Sequence, residues 1–230
     1  MEGPYTLEDY RKLADNIHFI RIRINQDNVS ITLQEVLNCL NELSWISSFD
    51  QDYLRNSFKK RATDTITYIT NNIINGTEDE VTTDSGEYVV SVLSKKTIVD
   101  KLDYVDIPLA ELIKEKIVGN PGFDFYSENK NSIMLFGEAK YVSNTNAYNK
   151  ALEQIEEFVN IGKDINDIAS VDRFFSEEAL DNANKGDKGY IAAFSSTEIE
   201  TDELIRNIQN NVHYKKLSSH KELICVAVTI

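Results

Sequence analysis

One place in the chain combines residue types and spacing that suit hydrolytic chemistry. Asp124 stands within Pro121-Gly122-Phe123-Asp124-Phe125-Tyr126, and an apolar run, Ile133-Met134-Leu135-Phe136, leads into Gly137-Glu138-Ala139-Lys140, so that thirteen residues separate the two carboxylates. A short apolar run of this kind reads as a buried strand. Strand residues i and i+2 share a face, so Glu138 and Lys140 project side by side while Ala139 faces the other way. Charges at the end of a buried strand lose hydration, which is sustained where they have partners or chemistry to perform. The polar stretch Glu128-Asn129-Lys130-Asn131 turns the strand of Asp124 back as a hairpin, adding a second carboxylate to the pair.

The elements that must position these residues follow from periodicity. Thr6-Leu7-Glu8-Asp9 has the form of a helix cap, predicting a short helix through Leu13. His18-Phe19-Ile20-Arg21-Ile22-Arg23-Ile24 alternates strictly and predicts a strand with Ile20, Ile22 and Ile24 on the core face. Arg21 and Arg23 then share the other face, as solvated sheet charges or as contacts to phosphate or an acidic partner. Thr32-Leu33-Gln34-Glu35 predicts the cap of a helix bearing Val36, Leu37, Leu40 and Leu43, and a second helix spans roughly 51–72 with the basic run Lys59-Lys60-Arg61. Residues 75–85 form the best linker candidate, dividing a mainly helical N-terminal region (1–80) from a core (81–230). Gly86 to Leu93 fits either a strand or a helix. A helix is predicted over 107–118, with Pro108 in its first turn and Gly119 as its stop. An amphipathic helix follows over 147–160 and carries Gln154 at the edge of its apolar face. Residues 162–189 read as a long polar connection with a helical turn near 171–180. A strand over 190–194, a helix from Thr201 to about Lys215 and a buried strand over 223–230 complete an α/β (α+β) pattern, a mixed central sheet with helices on both faces.

Composition limits the possible functions. The 230 residues suffice for a full core, and the sequence has neither a bilayer-length apolar run nor a secretory signal pattern, which points to a cytoplasmic protein with no membrane attachment. Cys39 and Cys225 read as buried thiols in a reducing compartment, and His18, His213 and His220 lack metal-ligand spacing. The net charge of −14 bears directly on nucleic-acid chemistry, because phosphate binding relies on Lys and Arg displacing counterions. It leaves three possibilities: a locally basic cleft on an acidic body, DNA delivered by a partner protein, or no nucleic acid at all.

Asp124 followed by Glu138-Ala139-Lys140, with Pro121-Gly122 just before the aspartate, resembles the signature of the PD-(D/E)xK (restriction-endonuclease-like) nucleases. The predicted element order agrees with the helix, three-strand, helix, strand core of that superfamily, although the first core strand is not identified. More finely, the Gly86-Glu87 segment, the Pro-Gly-Phe-Asp turn and the Gly-Glu-Ala-Lys strand with its following helix are similar to the nuclease subunit of Hachiman-type antiphage defence systems, over about residues 86–160. Such subunits work beside a superfamily 2 helicase, an ATPase partner that would supply the DNA affinity an acidic chain lacks.

The resemblance implies a DNA phosphodiesterase. Asp124 and Glu138 repel each other when ionised, which favours a divalent cation ligated by both, with the carbonyl of Ala139 as a further ligand. Oxygen donors suit Mg²⁺, with Mn²⁺ able to substitute. Lys140 would orient or deprotonate a water, or stabilise charge on the phosphate. Many members add a glutamate from the first core helix, for which Glu87 or Glu111 is available, the Gly86-Glu87 pairing favouring Glu87. Exonuclease-like members carry Gln and Tyr four apart on the helix after the lysine; Gln154 matches and Phe158 departs. The rival is a non-catalytic acidic interaction protein, of immunity or DNA-mimic type or an inactive nuclease-fold assembly subunit, in which Glu138 and Lys140 are an ordinary ion pair.

Overall fold

Two apolar stretches near the end of the chain, Lys188–Ser196 and Glu222–Thr229, are buried along their whole length, as strands covered on both faces must be. The computed structural model describes residues 5–24, 29–71, 83–114 and 122–230. Its elements are β1 (Tyr5–Ala14), β2 (Ile17–Ile24), α1 (Val29–Asn41), α2 (Asp52–Ile69), α3 (Thr83–Leu102), α4 (Ala110–Ile113), β3 (Phe125–Glu128) and β4 (Met134–Lys140). Beyond these come α5 (Tyr148–Asn160), α6 (Lys163–Val171), α7 (Glu177–Asn184), β5 (Lys188–Ser196), α8 (Thr201–Asn210), α9 (Val212–Leu217) and β6 (Glu222–Thr229). One mixed sheet has the order β1-β2-β6-β5-β4-β3. The inner strands β2, β6, β5 and β4 run parallel, and the edge strands β1 and β3 pair antiparallel.

Alternation along the strands divides the core in two. Leu135, Ala139, Ile191, Ala193, Ile224 and Val226 pack with Val89, Val90 and Leu93 of α3 and Leu33, Val36 and Leu40 of α1. On the opposite face Met134, Phe136, Tyr190, Ala192 and Phe194 meet Ala151, Leu152 and Ile155 of α5 and Leu204 and Ile208 of α8. Gly86 to Leu93, open to either reading in sequence, is therefore helical and supplies the α3 layer. The strand over β2 and the helix over α5 lie where their periodicity placed them.

Several expectations change. The cap-like Thr6-Leu7-Glu8-Asp9 opens a strand, not a helix, because β2 needs a partner for its outer edge and β1 supplies it with two register shifts. Local propensity yields to that pairing. β1 is largely exposed and carries Glu8, Asp9, Arg11 and Lys12, charges that discourage edge-to-edge association. Arg21 is not a solvated sheet charge; it is 4% exposed and donates to Thr201 Oγ1 at 3.0 Å, the Thr197 carbonyl at 3.3 Å and Thr229 Oγ1 at 3.2 Å. Arg23 pairs with Glu8 and Glu198. Thr32 lies inside α1, which is already helical at Val29. The connection over 162–189 holds two helices, α6 and α7, and Asn211 ends α8 and caps α9 by accepting from the amides of His213 and Tyr214. Most of the expected linker falls on residues 72–82, outside the described residues, and β2 places the N-terminal segment in the same sheet as β6.

The helix expected over 107–118 is one short turn, α4, within the described residues, and 115–118 lie outside them. The segment before it runs along the free edge of β3: Val105 donates to the Glu128 carbonyl at 2.9 Å and Ala110 to the Asp124 carbonyl at 2.9 Å. Ser127 Oγ adds a bond to the Val105 carbonyl at 2.8 Å. Residues 105–110 thus serve as an irregular edge antiparallel to β3. Pro108 has no amide hydrogen to give a regular ladder.

β3 approaches β4 closely because Gly137 has no side chain. A Cβ there would lie 2.4 Å from the ring of Phe125, its cross-strand partner. Gly137→Ala is expected to cost about 1–3 kcal/mol through overpacking, lowering Tm by roughly 2–4 °C per kcal/mol for a chain of this size. Thermal denaturation checks it, and an unchanged Tm would show that β3 can move away freely.

Candidate active site

β3 and β4 meet the α3 layer at one end of the sheet, and there the structure gathers the residues singled out in sequence. Glu138 is 1% exposed, and its Oε1 accepts from Lys140 Nζ at 2.8 Å. The other oxygen, Oε2, is buried with no hydrogen-bond partner among the described residues. Lys140 Nζ also lies 3.6 Å from Glu87 Oε1 at the start of α3. Asp124, at the mouth of β3, accepts from the amide of Ala139 through Oδ2 at 2.7 Å, and its own amide donates to the Gly137 carbonyl at 2.9 Å. Asp124, Glu138, Lys140 and Glu87 are therefore one constellation, with Ala139 contributing its amide to it.

Glu87 reaches the group because α3 begins tight against β4. At Gly86 a Cβ would sit 2.2–2.6 Å from the ring of Tyr141, the residue after Lys140. Only glycine permits that approach. Glu111, the alternative accessory acid, lies on α4, with its carbonyl accepting from Thr65 Oγ1 at 3.2 Å. Its charge is felt at Tyr88, where burial and then Glu111 and Asp124 raise the phenol. Gln154 is half-buried on α5, with no side-chain hydrogen bond to the constellation among the described residues. Phe158, at the position of the departure from tyrosine, packs edge-on against Phe123 at 5.1 Å.

The electrostatics follow from burial. Asp124 is raised from 3.8 to about 6, chiefly by burial and also by Glu87, against the opposing Ala139 amide and Lys140. Glu138 is pushed well above the usual carboxylate range by burial and then by Asp124, only partly offset by Lys140. Burial alone would lower Lys140, but Glu138, Glu87 and Asp124 outweigh it and hold the ammonium above its ordinary value. Two buried carboxylates, Glu138 raised by Asp124 and left with an orphaned oxygen, and Asp124 raised by burial and Glu87, form a site short of positive charge. Among the described residues no group of three or more His, Cys, Asp or Glu is arranged to hold an ion. The donors present are two carboxylates and the Ala139 carbonyl, a set that fits Mg²⁺, which commonly uses one or two carboxylates and retains waters.

Sequence reading missed the group that holds the Asp124 turn. Asp167 of α6 accepts from the Phe123 amide at 3.0 Å and the Tyr126 hydroxyl at 2.7 Å, and Lys114 Nζ lies 2.7 Å from it. A Cβ at Gly122 would lie 2.6 Å from Lys114 Nζ, so a side chain there would displace the lysine from Asp167. Asp164, three residues earlier on α6, is likewise buried, held by Lys188 and by Tyr190 at 3.0 Å, and neither aspartate is marked by its local sequence. Asp167→Asn keeps an acceptor but removes the charge that balances Lys114. It is expected to cost roughly 2 kcal/mol, read as a lower urea midpoint with an unchanged slope.

The basic run on α2 is mostly committed. Lys60 pairs with Asp64, and Arg61 donates to the Ile113 carbonyl at the end of α4 and lies over Phe58. Lys59 and Lys60 are both exposed, and Arg61 is half-buried. Cys39 and Cys225 are free thiols, and no helix among the described residues is long and apolar enough to cross a membrane. No family model matches the chain, and a search of curated proteins gives no match.

Proposed function

We propose that the chain is a Mg²⁺-dependent nuclease that hydrolyses DNA phosphodiesters, acting as the effector of an antiphage defence complex with a helicase partner. The observation that carries the chemistry is Glu138: a nearly fully buried carboxylate with one oxygen on Lys140, the other without a hydrogen-bond partner among the described residues, and Asp124 close enough to raise it. Burying such a group without full pairing is costly and is sustained where a ligand completes it. Asp124, Glu138 and the Ala139 carbonyl would hold the ion, which supplies Lewis-acid stabilisation of phosphate charge and a more acidic water. Lys140, kept protonated by three carboxylates, is suited to donate to the phosphate as charge develops, in preference to removing a proton. Glu87 adds a carboxylate on the solvent side, where it can orient a water beside Lys140.

The edge formed by residues 105–110 beside β3, followed by β4, α5 and β5, supports the fold-level resemblance. The helicase partner is supported by charge. With a net charge of −14, and Arg11, Arg21, Arg23, Arg55, Lys60 and Lys95 each paired to an acid, the chain is an acidic body with part of its cations already committed, which disfavours unaided DNA binding. The same commitment of cations favours the second reading, an acidic interaction protein that binds a basic partner. Supercoiled and linear DNA incubated with Mg²⁺ or Mn²⁺, alone and with the neighbouring gene's product plus ATP, separates the two. Nicking or shortening that EDTA abolishes supports the nuclease. Intact DNA in every condition, with a stoichiometric complex on a basic partner, would replace it by the second reading.

A further inference from the structure

On an acidic chain, α2 is a local exception. Its 18 residues carry four basic side chains, Arg55, Lys59, Lys60 and Arg61, against Asp52 and Asp64, where the whole chain stands at −14. Phe58, Ala62, Thr65, Ile66 and Ile69 turn one face inward, which leaves Tyr53, Lys60 and Tyr68 together on the other. Tyr53 is 68% exposed and Tyr68 47%, and Lys59 adds a second exposed cation beside Lys60. Arg55 and Arg61 instead donate to the carbonyls of Phe49 and Ile113. Lys60 meets Asp64 at 2.6 Å, but an exposed pair of helix neighbours contributes little and exchanges readily for a phosphate. The helix also leads to the constellation. Thr65 Oγ1 donates to the Glu111 carbonyl at 3.2 Å, and Ala110 of the same turn donates to the Asp124 carbonyl at 2.9 Å. Tyr68, near the end of α2, is felt at Tyr88 together with Glu111 and Asp124.

We infer that the outer face of α2 receives a single strand of DNA, with bases stacking on Tyr53 and Tyr68 and phosphates meeting Lys59 and Lys60, and leads it toward Asp124 and Glu138. Cleavage of that strand rests on the nuclease reading; its capture rests on α2 alone. One exposed tyrosine is ordinary. Two on one helix face with a lysine midway, spanning about 22 Å, match the alternation of base and phosphate along an unpaired strand, where each base offers a face to an aromatic ring. A duplex fits less well. Its bases are already stacked on one another, and it carries one charge per ~1.7 Å, against which two exposed lysines count for little. Stacking and phosphate contact read no base edge, so the surface is indifferent to sequence.

A fluorescein-labelled oligothymidylate of about twelve nucleotides, titrated with the full chain in EDTA at low salt, measures capture without cleavage. Its anisotropy should saturate. An abasic strand of the same length and charge should bind at least about twentyfold more weakly, and a duplex at least about tenfold more weakly. Tyr53→Leu and Tyr68→Leu should each weaken the oligothymidylate at least about fivefold and leave the abasic strand unchanged. Lys59→Gln with Lys60→Gln should weaken both strands alike and lower the slope of log affinity against log salt by about 1.4. These side chains are exposed, so the variants should melt with the wild type. Absence of saturable binding by the wild type, equal binding of the abasic strand or the duplex, or binding that none of the substitutions moves would each overturn the α2 surface. The wild-type comparisons need no variant. DNA captured on α2 yet left intact with Mg²⁺ and the partner would sink the nuclease reading and leave the surface standing. Cleavage by a chain whose α2 variants bind like the wild type would do the reverse.

Discussion

Glu138→Gln is expected to lower Mg²⁺-dependent DNA cleavage by about 10²–10⁴-fold while leaving the fold intact. The substitution preserves volume and an acceptor for Lys140 Nζ, now 2.8 Å from Oε1, and removes the charge that attracts a cation. Because Glu138 is raised well above its ordinary range by burial and by Asp124, taking its charge away relieves the sheet end. Activity and stability should therefore move in opposite directions. Lys140→Met removes the cation shared by Glu138 and Glu87 and should lose a comparable factor, but with lower stability at pH 8, since three carboxylates then face one another. Product formation from plasmid and linear DNA measures the first effect, and thermal denaturation the second. If either variant cleaves like the wild type in every condition, the constellation is not catalytic.

Asp124 gives the second large effect, and it is a dependence on pH. Its carboxyl is raised from 3.8 to about 6, mainly by burial. A group raised on folding adds stability below its unfolded value, and that contribution is lost as pH rises through its folded value. The window here runs from about pH 4 to about pH 6, and the gap corresponds to roughly 3 kcal/mol. Asp124→Asn abolishes the titration, so the variant should be more stable than wild type at pH 8, by several degrees in Tm, with the difference fading towards pH 4. Saturating Mg²⁺ should raise the wild-type Tm at pH 8 and leave the variant's unmoved, because the cation binds only where the ionised carboxylate is present. Cleavage should correspondingly rise across pH 5 to 7 as a proton gives way to the cation. A variant less stable than wild type at pH 8, or a wild type indifferent to Mg²⁺, would contradict the assignment of Asp124.

Much of this arrangement was legible in the chain itself. The alternation over Phe19 to Ile24, the apolar run before Gly137 and the amphipathic face of α5 report burial on one or two sides of a sheet, and burial is written locally. The shared face of Glu138 and Lys140 follows from strand period alone, and their 2.8 Å contact agrees with it. Features that depend on distant partners were not visible. β1 carries a cap-like sequence, and only the unfilled edge of β2 makes it a strand. Arg21 looks like its neighbour Arg23 until Thr201 and Thr229 surround it. The helix expected over 107–118 does not begin until Ala110, because the bonds of Val105 and Ala110 to the carbonyls of Glu128 and Asp124 lay the segment before it along β3. Asp167 has no local mark of importance; its role exists because Phe123, Tyr126 and Lys114 arrive beside it from another part of the chain.

The strand order has a consequence for how the protein comes into being. β6, the last in chain order of the six strands of this sheet, lies between β5 and β2, pairing Leu223 with both Ile17 and Tyr190. Until it emerges, the N-terminal hairpin and the β3-β4-β5 half that bears Asp124, Glu138 and Lys140 have no strand joining them. Such long-range parallel pairing forms slowly and leaves sticky edges open in the meantime. A nascent chain on the ribosome thus carries an unfinished sheet, and the site reaches its full support only after β6 is inserted. Ribosome-stalled chains that stop before residue 222 should accordingly be protease-sensitive along β2 and β5, and chains extended through β6 should be resistant along both together.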